Sequence, residues 1–211
     1  MKKLITAAEI GEYDRFRRMH LCNCLTGYKS PLLVGSISET GVQNLAIFSN
    51  VFHIGADPSM IGMIARPTSI PRDTVANIKC SKAYTLNHIP IANYEKGHLT
   101  SAKYPAEISE FEALNLKSSF IENFKAPFYA DSPLKIGLSL SSMTSIPEND
   151  SLLIIGKVEL IEVEEKTLLV TGHLDFSKLQ TVASTGLDTY YSTEFIDRLP
   201  YAKYKVLVQS D

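Results

Sequence analysis

Two arginines and a set of short polar side chains crowd into one stretch of the chain. Asn44, Ser49 and Asn50 belong to or follow an apolar run. Arg66 closes the next run, and Arg72-Asp73-Thr74 with Asn77 opens a helical pattern. Guanidinium groups bind phosphate oxygens in a bidentate way, and the first amides of a helix have no partner inside it. Arginines placed just ahead of a helix start therefore define chemistry suited to a bound anion. The same residues admit a plainer reading, in which Asp73 and Thr74 cap the helix, both arginines are solvated and Asn77 faces water.

Other chemistries lack their signatures. There is no Gly-x-Gly-x-x-Gly after a strand, no Gly-x-x-x-x-Gly-Lys-Ser/Thr, no His-Glu-x-x-His and no Gly-x-Ser-x-Gly. The five histidines, His20, His53, His88, His98 and His173, are scattered without metal-ligand spacing, so no catalytic residue and no metal ligand is assigned.

The elements that must position the polar cluster follow from periodicity. Thr6 and Glu9 stand at capping-box spacing, and Ile10, Tyr13, Phe16 and Leu21 share a face, which predicts a helix over about 7–22. Ser30–Val51 holds two β-rich runs around Glu39-Thr40-Gly41, a hairpin pattern with glycine free to take positive φ. Pro58 separates the next two segments, and Met60–Ala65 predicts a buried strand ending at Arg66-Pro67. A helix over Arg72–Ser81 and a strand over Lys82–Ile89 come next. A polar stretch then breaks the rhythm, with Ser109 and Glu112 at capping-box spacing for a short helix over about 110–116. The last third predicts strands at Leu134–Met143, a hairpin over Ser151–Leu174 turning near Glu164–Lys166, and a strand over Tyr201–Val208. Many short strands, few helices and no β-α alternation predict a mainly β fold, an antiparallel barrel with peripheral helices.

Length and charge bound the rest. A chain of 211 residues can bury a core without metal or disulfide and predicts a single domain, 1–211, with an N-terminal helical extension over 1–25 and a helical and loop insertion over 90–130. A formal charge of −2, from 21 basic and 23 acidic residues mixed along the chain, provides no electrostatic footprint for nucleic acid or an anionic membrane. Cys22, Cys24 and Cys80 are an odd number without Cys-x-x-Cys spacing, which fits a reducing, cytoplasmic setting. Glu9 and Glu12 interrupt the first apolar run too early for a secretory leader, and no segment approaches the roughly 20 apolar residues a spanning helix needs.

The ordered set Gly41-Val-Gln-Asn-Leu-Ala-Ile-Phe-Ser49, Arg66-Pro67, Arg72-Asp-Thr-Val-Ala-Asn-Ile78, Ala83–Ile89, His98–Tyr104, Ser109-Glu-Phe111, Ser151–Val163 and Ser184–Ala202 resembles the flavin reductase-like family of FMN-binding split barrels. The resemblance covers about 30–205 and includes flavoredoxin-like members. It implies a six-stranded Greek-key split barrel, a homodimer, and FMN held without a covalent bond. On this resemblance Asn44, Ser49 and Asn50 lie along the flavin and its ribityl-phosphate tail, while Leu45, Ala46 and Phe48 offer backbone contacts to the ring. Arg66, Arg72 and Thr74 hold the phosphate, Asp73 and Asn77 organise loop and helix, and Thr100, Ser101 and Lys103 sit in the His98–Tyr104 segment that closes over the ring. The implied activity is hydride transfer from NAD(P)H to flavin, with free flavin or an electron-acceptor protein as the onward partner. The alternative is an FMN-carrying electron-transfer protein that does not oxidise NAD(P)H. One departure bears on that choice: Asn149-Asp150-Ser151 stands where many reductases of the family carry a histidine beside the nicotinamide. The Gly186–Tyr191 motif adds an aromatic pair suited either to a dimer interface or to ordinary packing.

Overall fold

Two short helices open the chain, α1 (Ala7–Glu12) and α2 (Arg15–Cys24). They replace the single helix expected over 7–22. The Asp14 carboxylate accepts the Phe16 and Arg17 amides at 2.9 and 3.0 Å, so the chain leaves one helix at Tyr13 and starts a second. The computed structural model describes residues 1–67 and 72–203.

The expected hairpin is present. β1 (Leu32–Ile37) and β2 (Gln43–Phe48) pair antiparallel, Leu32 opposite Phe48 and Ile37 opposite Gln43, around a turn in which Gly41 has φ +89°. β3 (Val51–Ala56) and β4 (Ser59–Ala65) form a second hairpin across Asp57-Pro58. α3 (Asp73–Ser81) follows and stops at Lys82, which takes φ +58°; β5 (Ala83–His88) is buried along its length. The polar stretch contains a helix the sequence reading lacked, α4 (Tyr94–Leu99), and then α5 (Glu110–Ala113), shorter than expected because Asn115 turns out of the helix at φ +50°. Two-residue strands β6 (Ser118–Ser119) and β7 (Phe128–Tyr129) close that segment.

β8 (Leu134–Ile146) and β9 (Ser151–Val163) are long strands that pair with each other, Ile146 opposite Ser151 and Leu134 opposite Val163. The hairpin turn thus lies at 147–150, with Asp150 at φ +56°, and not near Glu164–Lys166, where a single 3₁₀ turn ends the run. Proline and three polar residues break the β pattern at 147–150, whereas 151–163 is one uninterrupted strand. α6 (Phe176–Leu179) precedes a last hairpin, β10 (Val182–Thr185) with β11 (Thr189–Ser192). Of the strand expected over 201–208, residues 201–203 have no regular structure and 204–208 lie outside the described residues.

The main sheet has the order β2-β1-β5-β8-β9-β4-β3. Its two terminal strands, β2 and β3, are separated in sequence by Ser49 and Asn50 alone. Three peptide steps span at most about 11 Å, so the sheet must curl until its ends meet. This closure makes the antiparallel split barrel, and it reconciles seven strands with the expected six, because β2 and β3 are one run broken at the seam. The Ile64 amide fastens the seam by donating to the Asn50 carbonyl at 2.9 Å.

Strand parity sorts β1 into two cores. Leu32 and Val34 join Met63, Ile78, Tyr84, Leu86, Leu138 and Ile154 in the first, while Leu33 joins Leu45, Ile89, Phe111, Leu116, Tyr129 and Val182 in the second. The second core holds the segment between β5 and β8 onto the barrel. A buried polar knot reinforces it: Asn87 donates to the Leu33 carbonyl at 3.0 Å and to Thr85 Oγ1 at 2.8 Å, and accepts the Tyr129 amide at 3.0 Å. Thr85 in turn donates to the Pro127 carbonyl at 2.7 Å.

Gly35 lies under this knot, and a Cβ there would stand 2.1 Å from the Pro127 carbonyl oxygen and 2.4 Å from Thr85 Oγ1. Gly35→Ala is expected to destabilise the fold by about 3 kcal/mol in urea unfolding, because backbone must move to relieve the clash. His88 generates a pH prediction. Burial pushes its imidazole down to about 4, so between that value and the ordinary value of about 6.5 the unfolded chain binds the proton better. Stability should fall as pH drops through this window, by up to about 3 kcal/mol. Unfolding at pH 7.5 and 4.5 should show that slope in the parent protein and a shallower one in His88→Gln.

Candidate functional site

A cavity of about 390 Å³ opens at the seam. Asn44, Ala46 and Phe48 of β2 form one wall, and Ser49 and Asn50 form the link. Arg66 lies just past β4, Arg72, Asp73 and Thr74 lie at the start of α3, and Thr100, Ser101, Lys103 and Tyr104 follow α4. Of the expected site residues, only Leu45 and Asn77 are elsewhere. The Leu45 side chain is fully buried in the second core. Asn77 donates to Ser36 Oγ at 3.2 Å and so ties α3 to β1 from inside the fold.

Among the described residues no side chain caps the start of α3. Arg72 occupies the N-cap position without a side-chain hydrogen bond to the helix. Asp73 and Thr74, the expected caps, are already inside the helix, and Thr74 Oγ1 instead accepts from Asn44 Nδ2 at 2.9 Å. That bond locks β2 to α3 across the cavity wall. Among the described residues the first amides of α3 thus have no side-chain acceptor.

Charge is unbalanced here. Among the described residues no carboxylate forms an ion pair with Arg66 or Arg72. Arg72 is half-buried, its Nε has no hydrogen-bond partner among the described residues, and desolvation, followed by the charge of Arg66, holds its guanidinium below the usual range. Two neighbouring cations beside open helix amides make a site for an anion such as phosphate. The closing segment is anchored as well: Thr100 is buried and donates through Oγ1 to the Gly97 carbonyl at 2.8 Å, while Ser101 and Lys103 stay exposed.

Glu110 is the charged wall residue that the sequence reading did not assign to the site. Its carboxylate is buried and accepts the Leu45 amide at 2.9 Å, and burial pushes its pKa above the ordinary carboxylate value. Capping-box spacing put it in a short helix and Ser109-Glu-Phe111 counted toward the family resemblance, but neither gave it a role, because a contact spanning 65 residues leaves no local signal. Asn23, Ile47, Ile64, Ala102 and Leu187 complete the lining.

No histidine lines the cavity. His53 is exposed on β3, His88 is buried against Phe176, and His98 Nδ1 lies 3.0 Å from the Tyr190 hydroxyl. Asn149 Oδ1 accepts from the Ser151 amide and hydroxyl, closing the β8–β9 turn. Because Ala65 pairs with Leu152, this turn sits beside Arg66. Tyr190 packs against Tyr94 and His98, while Tyr191 packs edge-on against Tyr28. Among the described residues no cluster of three or more His, Cys, Asp or Glu could hold a metal, and no helix is long and apolar enough to cross a membrane.

Fold and site together define an antiparallel split barrel with an arginine-lined cavity at its seam. The chain belongs to the family described as the flavin reductase like domain, whose model matches residues 26–177. It is similar to the solved structure of an assigned flavin reductase with split barrel domain from Shewanella frigidimarina NCIMB 400: 37% identity, TM-score 0.92, covering 95% of this chain and 100% of that one. The fold is shared with flavoredoxin of Desulfovibrio vulgaris (Miyazaki F), at 19% identity and TM-score 0.72 over 83% of this chain and 92% of the other. A curated relative, an uncharacterised protein of Aquifex aeolicus, is 27% identical over 164 residues, 77% of this chain and 82% of its own length.

Proposed function

We propose that the protein binds FMN in the seam cavity and transfers hydride from NAD(P)H to flavin. The observation that carries the reading is the uncompensated Arg66–Arg72 pair beside the uncapped start of α3. A phosphate monoester fits that arrangement: it brings about two negative charges and several acceptor oxygens, which answer both the orphaned Arg72 Nε and the open amides. When bound, the isoalloxazine supplies the two-electron acceptor chemistry that no side chain here has.

The chain's own residues bind and orient. Arg66, Arg72 and Thr74 would hold the phosphate, with Asp73 contributing through its backbone at the helix start. Ser49, Asn50 and Asn44 would offer hydrogen bonds along the tail. Ala46 and Phe48 form an apolar wall, and β2, being the first strand in the sheet order, has backbone groups on its outer edge without strand partners. Thr100–Lys103 would exclude water from one side, with Thr100 holding the segment on Gly97. Hydride transfer needs orientation more than proton transfer, so the lack of a histidine in the lining is compatible with it.

A second reading is favoured by the Asn149-Asp150-Ser151 turn beside Arg66 and by the histidine-free lining. In it the protein carries FMN and exchanges electrons with another protein, without oxidising NAD(P)H itself. Mixing the FMN-loaded protein with NADH or NADPH without oxygen separates the two. Loss of the oxidised flavin absorbance within seconds to minutes is expected under the first reading. Bleaching by dithionite or a reduced protein donor alone would replace it with the second. Replacing both arginines, Arg66→Ala with Arg72→Ala, should weaken FMN binding about 100-fold in a flavin fluorescence titration, since two charge-assisted contacts are lost. Unchanged affinity would remove the phosphate assignment.

A further inference from the structure

Glu110 stands out as a negative group in a cavity otherwise suited to an anion. Its placement follows from the sheet. β2 is the first strand in the order β2-β1-β5-β8-β9-β4-β3, so alternate residues direct their backbone groups away from β1. The Leu45 amide is one of these, and Glu110 Oε2 accepts it at 2.9 Å. The carboxylate thus ties α5 to the barrel's edge strand. No other residue among those described hydrogen-bonds its second oxygen, Oε1, and Glu110 borders the cavity. Among the described residues no ion pair neutralises the group, and the charged residues sharing its cavity are Asp73 and Arg72 at the start of α3, Arg66 past β4, and Lys103 past α4.

A carboxylate bordering a cationic cavity is poorly placed toward an anion unless the ligand offers it a hydrogen. The cavity as built selects a molecule that is anionic at one point and carries a neutral donor nearby. Glu110 lines the same cavity as Asn44, Asp73 and Thr74 and is near enough to Asp73, at the helix start that Arg72 opens, to feel its charge. The donor it meets therefore belongs next to the phosphate, which in FMN means the hydroxyls of the ribityl chain. Resting on the reading of this cavity as an FMN site, we propose that Glu110 is a specificity residue: Oε2 stays on the Leu45 amide while Oε1 accepts a hydrogen bond from a ribityl hydroxyl, so that the site distinguishes a polyol phosphate from an alkyl phosphate on the same ring.

Glu110→Gln isolates this role. The glutamine oxygen can keep the Leu45 amide, which turns the NH₂ group toward the cavity and exchanges an acceptor for a donor. FMN and a flavin whose ribityl chain is replaced by a phosphopentyl chain are titrated by fluorescence against the parent protein and E110Q, and thermal unfolding is followed for both proteins. The parent protein should prefer FMN over the phosphopentyl flavin by about tenfold or more, and E110Q should keep only part of that preference, because a ribityl hydroxyl accepting from the neutral NH₂ group gains less than one donating to a carboxylate. A parent protein that binds both flavins equally overturns the proposal, even if E110Q does not fold. So does an E110Q protein that retains the full preference. If the parent binds the phosphopentyl flavin but neither protein distinguishes the polyol, the cavity remains a flavin site and only the Glu110 assignment fails. A parent protein that binds neither flavin overturns the FMN reading itself and the Glu110 role with it.

Discussion

The two-residue link Ser49-Asn50 is the constraint on which the rest depends. It joins the strands at opposite ends of a seven-stranded order, and so it obliges the sheet to curl until β2 and β3 are neighbours. Strand ends meet at such a seam, and this decides where a ligand can sit. The end of β2, the end of β4 and the entry to α3 all converge there because each is one short step from the closure. The cavity is a consequence of the topology, and its polar lining occupies the place where backbone pairing runs out.

Electrostatics then gives the seam its chemistry. Arg72 is partly withdrawn from water, and the charge of Arg66 adds to the cost of charging it. A fold selected for stability alone would pair them or solvate them fully. Leaving the first amides of α3 uncapped adds positive potential from the same direction. Asn44 is used to hold Thr74 in place, so the wall that carries these groups is fixed before any ligand arrives.

Much of this was legible in the sequence, because the relevant signals are local. The Gly41 turn, the apolar runs of β1, β2 and β4, and the arginines flanking a helix start lie within about forty consecutive residues. What escaped was either a competing cap or a distant contact. Asp14 captures two amides and splits a periodic segment into α1 and α2. The β8–β9 turn moved to 147–150 because an uninterrupted thirteen-residue strand outweighs the polar residues at its far end. Asn77 was drawn to the site by its spacing and turned inward by Ser36, forty-one positions away. Leu45 and Glu110 form a pair that neither residue's neighbourhood announces.

The segment between β5 and β8 connects these levels. It is polar in sequence, yet it is pinned to the barrel by Phe111, Leu116 and Tyr129 on one side and by the Asn87–Thr85–Pro127 knot on the other. Gly35 permits the close approach that the knot requires. The same segment supplies Thr100, Ser101, Lys103, Tyr104 and Glu110 to the cavity. Its buried contacts therefore set the positions of the site's outer wall. A wall made of a loop alone would be free to move away from an edge strand, whereas here the Leu45 amide and the second core hold it there. The barrel contributes the cationic half of the cavity and the inserted segment the remainder, so loosening the insertion should impair ligand recognition before it unfolds the sheet.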